Sequence, residues 1–403
     1  MTAPEYQVAL GRKIAEARHR RGLSQPELAR MIDRSVAWVS QVERGARKVD
    51  RMSVLEMLAD SLEMPLSQLA AEAPVVAAVN EEPPGVASLR LVLSGAWTLR
   101  AMLNSHDDAP VIVQTRQRVE QAWSLSHQSR YSELADVLRD LVPDLESGVR
   151  AVPEDQRTEM FELLAAAYQA CAAALAKLGE PDAAWIAADR SMAAAERAGH
   201  PLLVAAGAFR LSIVFLEAKY YAQAAEVAST AADSLWLIAE NGTPQAMSMW
   251  GALTLQRAMT AAHLGDAAAA YAHLDRARVI AERVGPGRDD FNTEFGPANA
   301  ALYELAVAIE LGDAGRALRV ASAIDTSGLS PERQTRMLLD VARAHAQRRH
   351  VTDALAALTE AERLTPEAVQ NISLVRQLAT DLLAMQKPPS AELTAFAARI
   401  STP

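Results

Sequence analysis

At 403 residues the chain is too long for one ordinary core, and half of it is hydrophobic, which excludes wholesale disorder. Aromatic residues make up only 5 % while Ala is abundant, a balance that suits closely packed helices and argues against a β-sandwich. Cys171 is the single cysteine, so an intrachain disulfide and a cysteine-based metal site are excluded. The net charge of −10 is unevenly spread: residues 11–51 hold 11 basic side chains against five acidic ones. A small basic segment on an acidic body suits either contact with a polyanion or a solvated charged face.

Residues 1–21 put polar and charged side chains where a signal peptide needs an apolar stretch. Residues 200–216 come nearest to a membrane span, and Arg210 interrupts them. A cytoplasmic chain with no membrane partner is expected.

The first elements fall within residues 9–69. A helix is expected over 10–21, with Ile14 and Ala17 inward and Gly22 as its stop. Ser24, Pro26 and Glu27 have the spacing of an N-cap, a first-turn proline and a capping-box partner, so a second helix begins there and buries Leu28, Ala29 and Ile32. Asp33-Arg34 forms a tight break, and Ser35 caps a third helix over 36–44, ended by Gly45. Asp50 or Ser53 opens a fourth helix with Val54, Leu55, Leu58 and Leu62 inward, and a last short turn spans 65–69.

The run Gly22-Leu23-Ser24-Gln25, then Leu28-Ala29, then Val39-Ser40-Gln41-Val42-Glu43-Arg44-Gly45, with the later Leu58-Ala59, Leu62 and Pro65, resembles the Xre/Cro-type helix-turn-helix family. The resemblance covers about one seventh of the chain and implies double-stranded DNA as a partner. It places Val36, Ala37, Ser40 and Gln41 toward base edges and Gln25 on a phosphate. Arg34, Arg44, Arg47, Lys48 and Arg51 fall along the flanking backbone, and Arg18 with Glu43 matches an internal ion pair that braces the bundle. Two positions depart from the family pattern: Asp33 stands where Gly is usual and Arg34 where an apolar residue is usual. Trp38 is large for its place and serves as a packing residue or stacks on the DNA backbone.

The chain therefore divides into a DNA-binding segment at 1–70, a linker at 71–88 marked by Pro74, Pro83, Pro84 and Gly85, and an all-helical segment at 89–403. In the last segment similar helix breaks recur at Ser129-Arg130-Tyr131, Leu178-Gly179-Glu180, Ala218-Lys219-Tyr220, Leu264-Gly265-Asp266, Leu311-Gly312-Asp313 and Arg348-Arg349-His350, each followed by an Ala-rich helix. Small residues let paired helices approach closely, and stacked pairs bury one continuous core. The pattern resembles tetratricopeptide repeats with long first helices, and HEAT-like packing is the alternative. An all-α fold is expected, a helix-turn-helix bundle followed by an α-solenoid of helix pairs. That combination resembles tetratricopeptide-containing Xre regulators, peptide-sensing quorum regulators among them. It implies a homodimer in which the repeats bind a peptide or small-molecule effector.

Three of the first helices carry lone charges in near-equivalent places: Arg210, Arg257 and Glu304. They would form either a row across the groove that holds an effector's backbone or carboxylate, or an Arg257–Glu304 pair that only braces the stack. Trp250 shares the fourth first helix. The longest break, residues 284–299, keeps large side chains, which makes Asn292, Phe295 and Asn299 further effector candidates. Asp289, Asp290 and Glu294 in that break lack EF-hand spacing. The eight histidines include no HExxH pair, and no P-loop, GxSxG or dinucleotide fingerprint occurs. The expectation is a transcriptional regulator with no catalytic site, cofactor or metal. The rival reading is a DNA-anchored scaffold whose repeats bind a partner protein.

Overall fold

The computed structural model describes residues 3–32, 34, 36–45, 57–59, 61, 62, 64, 83–96, 99, 110–240 and 242–401. The chain separates into two compact units, Met1–Glu82 and Pro83–Pro403. Among the described residues every regular element is a helix. None of these helices is long and apolar enough to cross a membrane.

The first unit contains α1 (Ala3–Arg20), α2 (Gln25–Met31) and α3 (Val36–Glu43). α1 begins seven residues before the expected start at Leu10. Gly22, at φ 69°, ends it in a left-handed turn in which the Leu23 N–H donates to the Arg18 carbonyl. The capping box forms as the spacing demands: the Ser24 hydroxyl accepts from the Glu27 N–H, and the Glu27 carboxylate accepts from the Ser24 N–H at 2.7 Å. Leu10, Ile14, Ala17, Leu28, Ala29, Ile32, Val39, Val42, Leu58, Ala59 and Leu62 make one core, with Trp38 half-buried against it. Trp38 thus packs, as one of its two readings held. Gly11 brings α1 onto the end of α3, because a β-carbon there would meet the Val42 and Glu43 carbonyls. The Asp33 turn, Val54, Leu55 and the 65–69 turn lie outside the described residues.

The second unit opens with α4 (Val86–Val92), so Val86, Ala87 and Ser88, read above as linker, form its first turn. Pairs follow: α5 (Ile112–His127) with α6 (Tyr131–Ala151), α7 (Glu154–Lys177) with α8 (Pro181–Ala198), and α9 (Pro201–Glu217) with α10 (Tyr221–Ala239). Then come α11 (Pro244–His263) with α12 (Ala267–Val284), α13 (Pro297–Glu310) with α14 (Ala314–Ala321), and α15 (Pro331–Gln347) with α16 (Val351–Leu364). Short α17 (Pro366–Asn371), α18 (Ser373–Met385) and α19 (Ala391–Ser401) complete the unit.

All six expected breaks lie between the two helices of a pair, and all six use one device. Ser129, Gly179, Lys219, Gly265, Gly312 and Arg349 have φ between 56° and 81°, and the next residue's N–H reaches back five positions to a carbonyl of the preceding helix. This is the Schellman end, which satisfies carbonyls that the helix terminus leaves open. In the first break the left-handed residue is Ser129.

The first helices α5, α7, α9, α11, α13 and α15 pack on one another in succession, and the last of them, α15, returns to touch the first, α5. The solenoid closes on itself. Lys177 on α7 pairs with Glu332 on α15 at 2.7 Å, and the Ser132 N–H and hydroxyl on α6 donate to Glu367 on α17 at 2.7 and 2.8 Å. Ala368 is buried in the core to which α4 to α10 contribute.

Candidate nucleic-acid interface and effector cleft

In the first unit α3 is held by a network that starts from Glu43. The Arg18 guanidinium donates to both of its oxygens, at 2.5 and 3.0 Å, and the Gln25 amide donates at 2.7 Å. A further Arg18 N–H reaches the Leu23 carbonyl at 2.7 Å. Arg18 and Glu43 are nearly covered, at 7 and 6 % side-chain exposure. Burial pushes the Glu43 carboxyl up, but the hydrogen bonds from Arg18 and Gln25 outweigh it and leave it below its ordinary value. The network fixes α3 against α1 and α2 and turns its other face outward.

Val36 is 44 % exposed, Ser40 and Gln41 are half-buried, and Arg34 and Arg44 are exposed. The Arg44 Nε–H folds back to the Ser40 carbonyl at 3.1 Å. Gln25, expected on a phosphate, spends one amide N–H on Glu43. Arg47, Lys48, Arg51 and the Ala37 side chain lie outside the described residues. A family model described as a helix-turn-helix domain matches residues 9–71. The N-terminal unit is a helix-turn-helix domain. Within the helix-turn-helix, α2 and α3 are the paired helices; Val36 at the start of the second is exposed, and Ser40 and Gln41 further along it are half-buried.

In the second unit a cleft of about 540 Å³ opens where the solenoid closes. Trp123, Leu163 and Ala166 line its apolar part, and Arg116, Glu120, His127, Asp289, Asn292 and Pro331 line the remainder. The His127 Nδ1 lies 3.7 Å from Asp289. Behind Trp123 sits buried Arg210, its guanidinium 4.8 Å from the Trp123 ring and 5.1 Å from the Phe209 ring. Burial, with neighbouring Arg333 adding to it, lowers the Arg210 pKa to about 10. Charged at neutral pH, Arg210 donates to the Asn292 carbonyl.

That bond is half of a clamp on the 285–296 loop. From α15, Arg333 donates to the Thr293 carbonyl at 3.1 Å and to the Glu294 carboxylate at 3.0 Å. Glu294 also accepts from the Ser330 hydroxyl at 3.1 Å. Phe291, Asn292 and Glu294 all hold positive φ, a strained path that the clamp maintains. Phe295 is fully buried, its ring filling the space a side chain at Gly251 would take.

Of the effector residues expected from sequence, the structure therefore brings Asn292 to the cleft, with Arg210 one layer behind. Phe295 is core. Asn299 is buried and donates to the Thr293 carbonyl at 3.1 Å, and Trp250 is buried with its ring 4.9 Å from Trp236. Arg257 turns to Asp233 at 2.9 Å and Glu304 to Arg316 at 2.7 Å, so these two charges take other partners than each other. Trp123 and His127 share α5, and Asp289, read above only against the EF-hand pattern, comes to them from far along the chain, a juxtaposition that sequence spacing does not show. Trp123 looks like any other tryptophan along the chain. Two of those, Trp185 and Trp236, are 38 and 37 % exposed rather than core.

No curated protein matches the chain. Among solved structures, PlcR of Bacillus thuringiensis in complex with the peptide PapR7 and DNA is similar at 14 % identity and a TM-score of 0.29, over 68 % of this chain and 95 % of that one.

Proposed function

We propose that the chain is a sequence-specific DNA-binding transcriptional regulator, acting as a homodimer, whose second unit takes a peptide or small-molecule effector. The observation that carries this reading is the helix-turn-helix with its braced third helix, exposed Val36 and half-buried Ser40 and Gln41. Gln41 bonds an adenine edge and Val36 meets a thymine methyl, while Gln25, Arg34 and Arg44 set register on phosphates. Ala37, Arg47, Lys48 and Arg51 complete the two sets. A dimer belongs to the reading because heads of this kind engage half-sites about one helical turn apart. The effector is placed in the cleft beneath the closed solenoid, where an aromatic and mixed-charge lining suits a short peptide or a zwitterion.

The test is binding of the full chain to DNA from its own upstream region across a salt series. Replacing Ser40 and Gln41 together by Ala should lower specific affinity at least tenfold and spare non-specific binding. Arg34→Ala should weaken all sequences alike and flatten the salt slope by about one. Unchanged sequence preference in the double variant would remove α3 as the reading helix.

A further inference from the structure

We propose that His345, His350 and Asp353, at the turn joining α15 to α16, form a site for a divalent first-row transition metal, zinc above all. The turn itself builds the site. A Schellman end sets the side chain at the third position from the helix end beside the one two places past it. At the α15 end these are His345 and His350, linked by the His350 N–H to the His345 carbonyl at 2.9 Å, with Arg349 left-handed between them at φ 60°. The other five turns place Leu125 with Arg130, Leu175 with Glu180, Phe215 with Tyr220, Ala261 with Asp266 and Ala308 with Asp313. In the α9 turn the same slot holds a ring pair 6.3 Å apart, and here it holds two imidazoles 5.9 Å apart.

Asp353, in the first turn of α16, adds the third donor. Its Oδ2 lies 3.8 Å from the His345 Nδ1 and 3.9 Å from the His350 Nδ1, and the three donor atoms lie within 4.8 Å of one another. These separations are too long for hydrogen bonds and close to the edge of a coordination tetrahedron, about 3.3 Å for bonds of about 2.0 Å. The His345 Nδ1 is buried and has no hydrogen-bond partner, a lone pair aimed into the cluster. Two imidazoles and one carboxylate select zinc, nickel or cobalt over calcium or magnesium, and solvent fills the fourth place. Arg348 is a neighbouring cation. A filled site pins the C-terminal end of α15, whose opposite end carries Glu332 and Arg333.

The site was invisible to same-helix spacing rules, since the two histidines stand five apart across a helix end. It is independent of DNA binding. The test is titration of untagged full-length chain with zinc by calorimetry and with cobalt by visible absorption. One cobalt per chain with tetrahedral bands is expected, together with a zinc-dependent rise in melting temperature. H350A and D353N should each weaken binding at least tenfold and abolish that rise, both substitutions being at exposed positions that leave the helices intact. Zinc binding no tighter than millimolar overturns the proposal. So does micromolar binding that H350A and D353N leave unaltered, which would assign the ion to other histidines.

Discussion

Glu43→Gln tests the bracing of the helix-turn-helix most directly. The substitution keeps the shape of the side chain and removes the charge that accepts from Arg18 and Gln25. Stranding a deeply buried ion costs about 3–5 kcal/mol. Arg18 is 7 % exposed but lies in the thin wall of a small bundle and keeps its bond to the Leu23 carbonyl, so about 2–3 kcal/mol is expected. Hydrogen exchange of the full chain reads each unit separately. At about 1.4 kcal/mol per tenfold, amides of the first unit's core should exchange roughly 30- to 150-fold faster, and those of α7 at an unchanged rate. The Glu43 carboxyl sits below its ordinary value, so its contribution is complete above the unfolded pKa of about 4.3 and fades as pH falls through the folded value. The variant should lack that acid-side loss. Unchanged exchange in residues 10–32, or equal acceleration in α7, would refute the bracing role.

Three further outcomes are expected. Gly11→Ala forces α1 from the Val42 and Glu43 carbonyls and should destabilise the first unit by about 1–3 kcal/mol, seen as lost protection there and weakened DNA binding. Lys219→Gly relieves a left-handed residue at φ 64°, worth about 1–2 kcal/mol before glycine's own entropy is subtracted, so the second unit should melt slightly higher. A lower melting point would mean that the Lys219 stem contributes packing. For half-buried Glu332, desolvation raises the carboxyl, but Lys177 and Arg333 outweigh it and hold the pKa far below normal. The stability this lends is complete above about pH 4.3 and is lost as pH falls below that value, so Glu332→Gln should flatten the acid limb of the melting profile.

Local chemistry was legible and closure was not. Ser24 and Glu27 announce a capping box that depends on four residues, and the six paired-helix breaks are punctuated whether the left-handed residue is Gly265 or Lys219. The Arg18–Glu43 pair came from the family resemblance and is present. The cleft is another matter. Trp123 and Asp289 line one cleft in a unit where small rotations between successive pairs add up until α15 reaches α5, and no residue window carries that sum. For the same reason Arg210, Arg257 and Glu304, equivalent in register, turned to different partners. Each takes the nearest counter-charge or carbonyl, on its own pair or a neighbouring element, and register fixes only the starting direction.

Closure also changes how the second unit should come apart. An open solenoid is a chain of nearest neighbours, in which one repeat can melt without consulting those far away, and whose ends need polar caps. Here the ends meet: Ser132 answers to Glu367, and Lys177 to Glu332. Losing any one pair releases the contacts that join the ends, so unfolding becomes a concerted event and loop-closure entropy must be met before the last contacts form. A polymer of repeats has acquired the all-or-none character of a globule, and the cleft beside Trp123 lies at its seam.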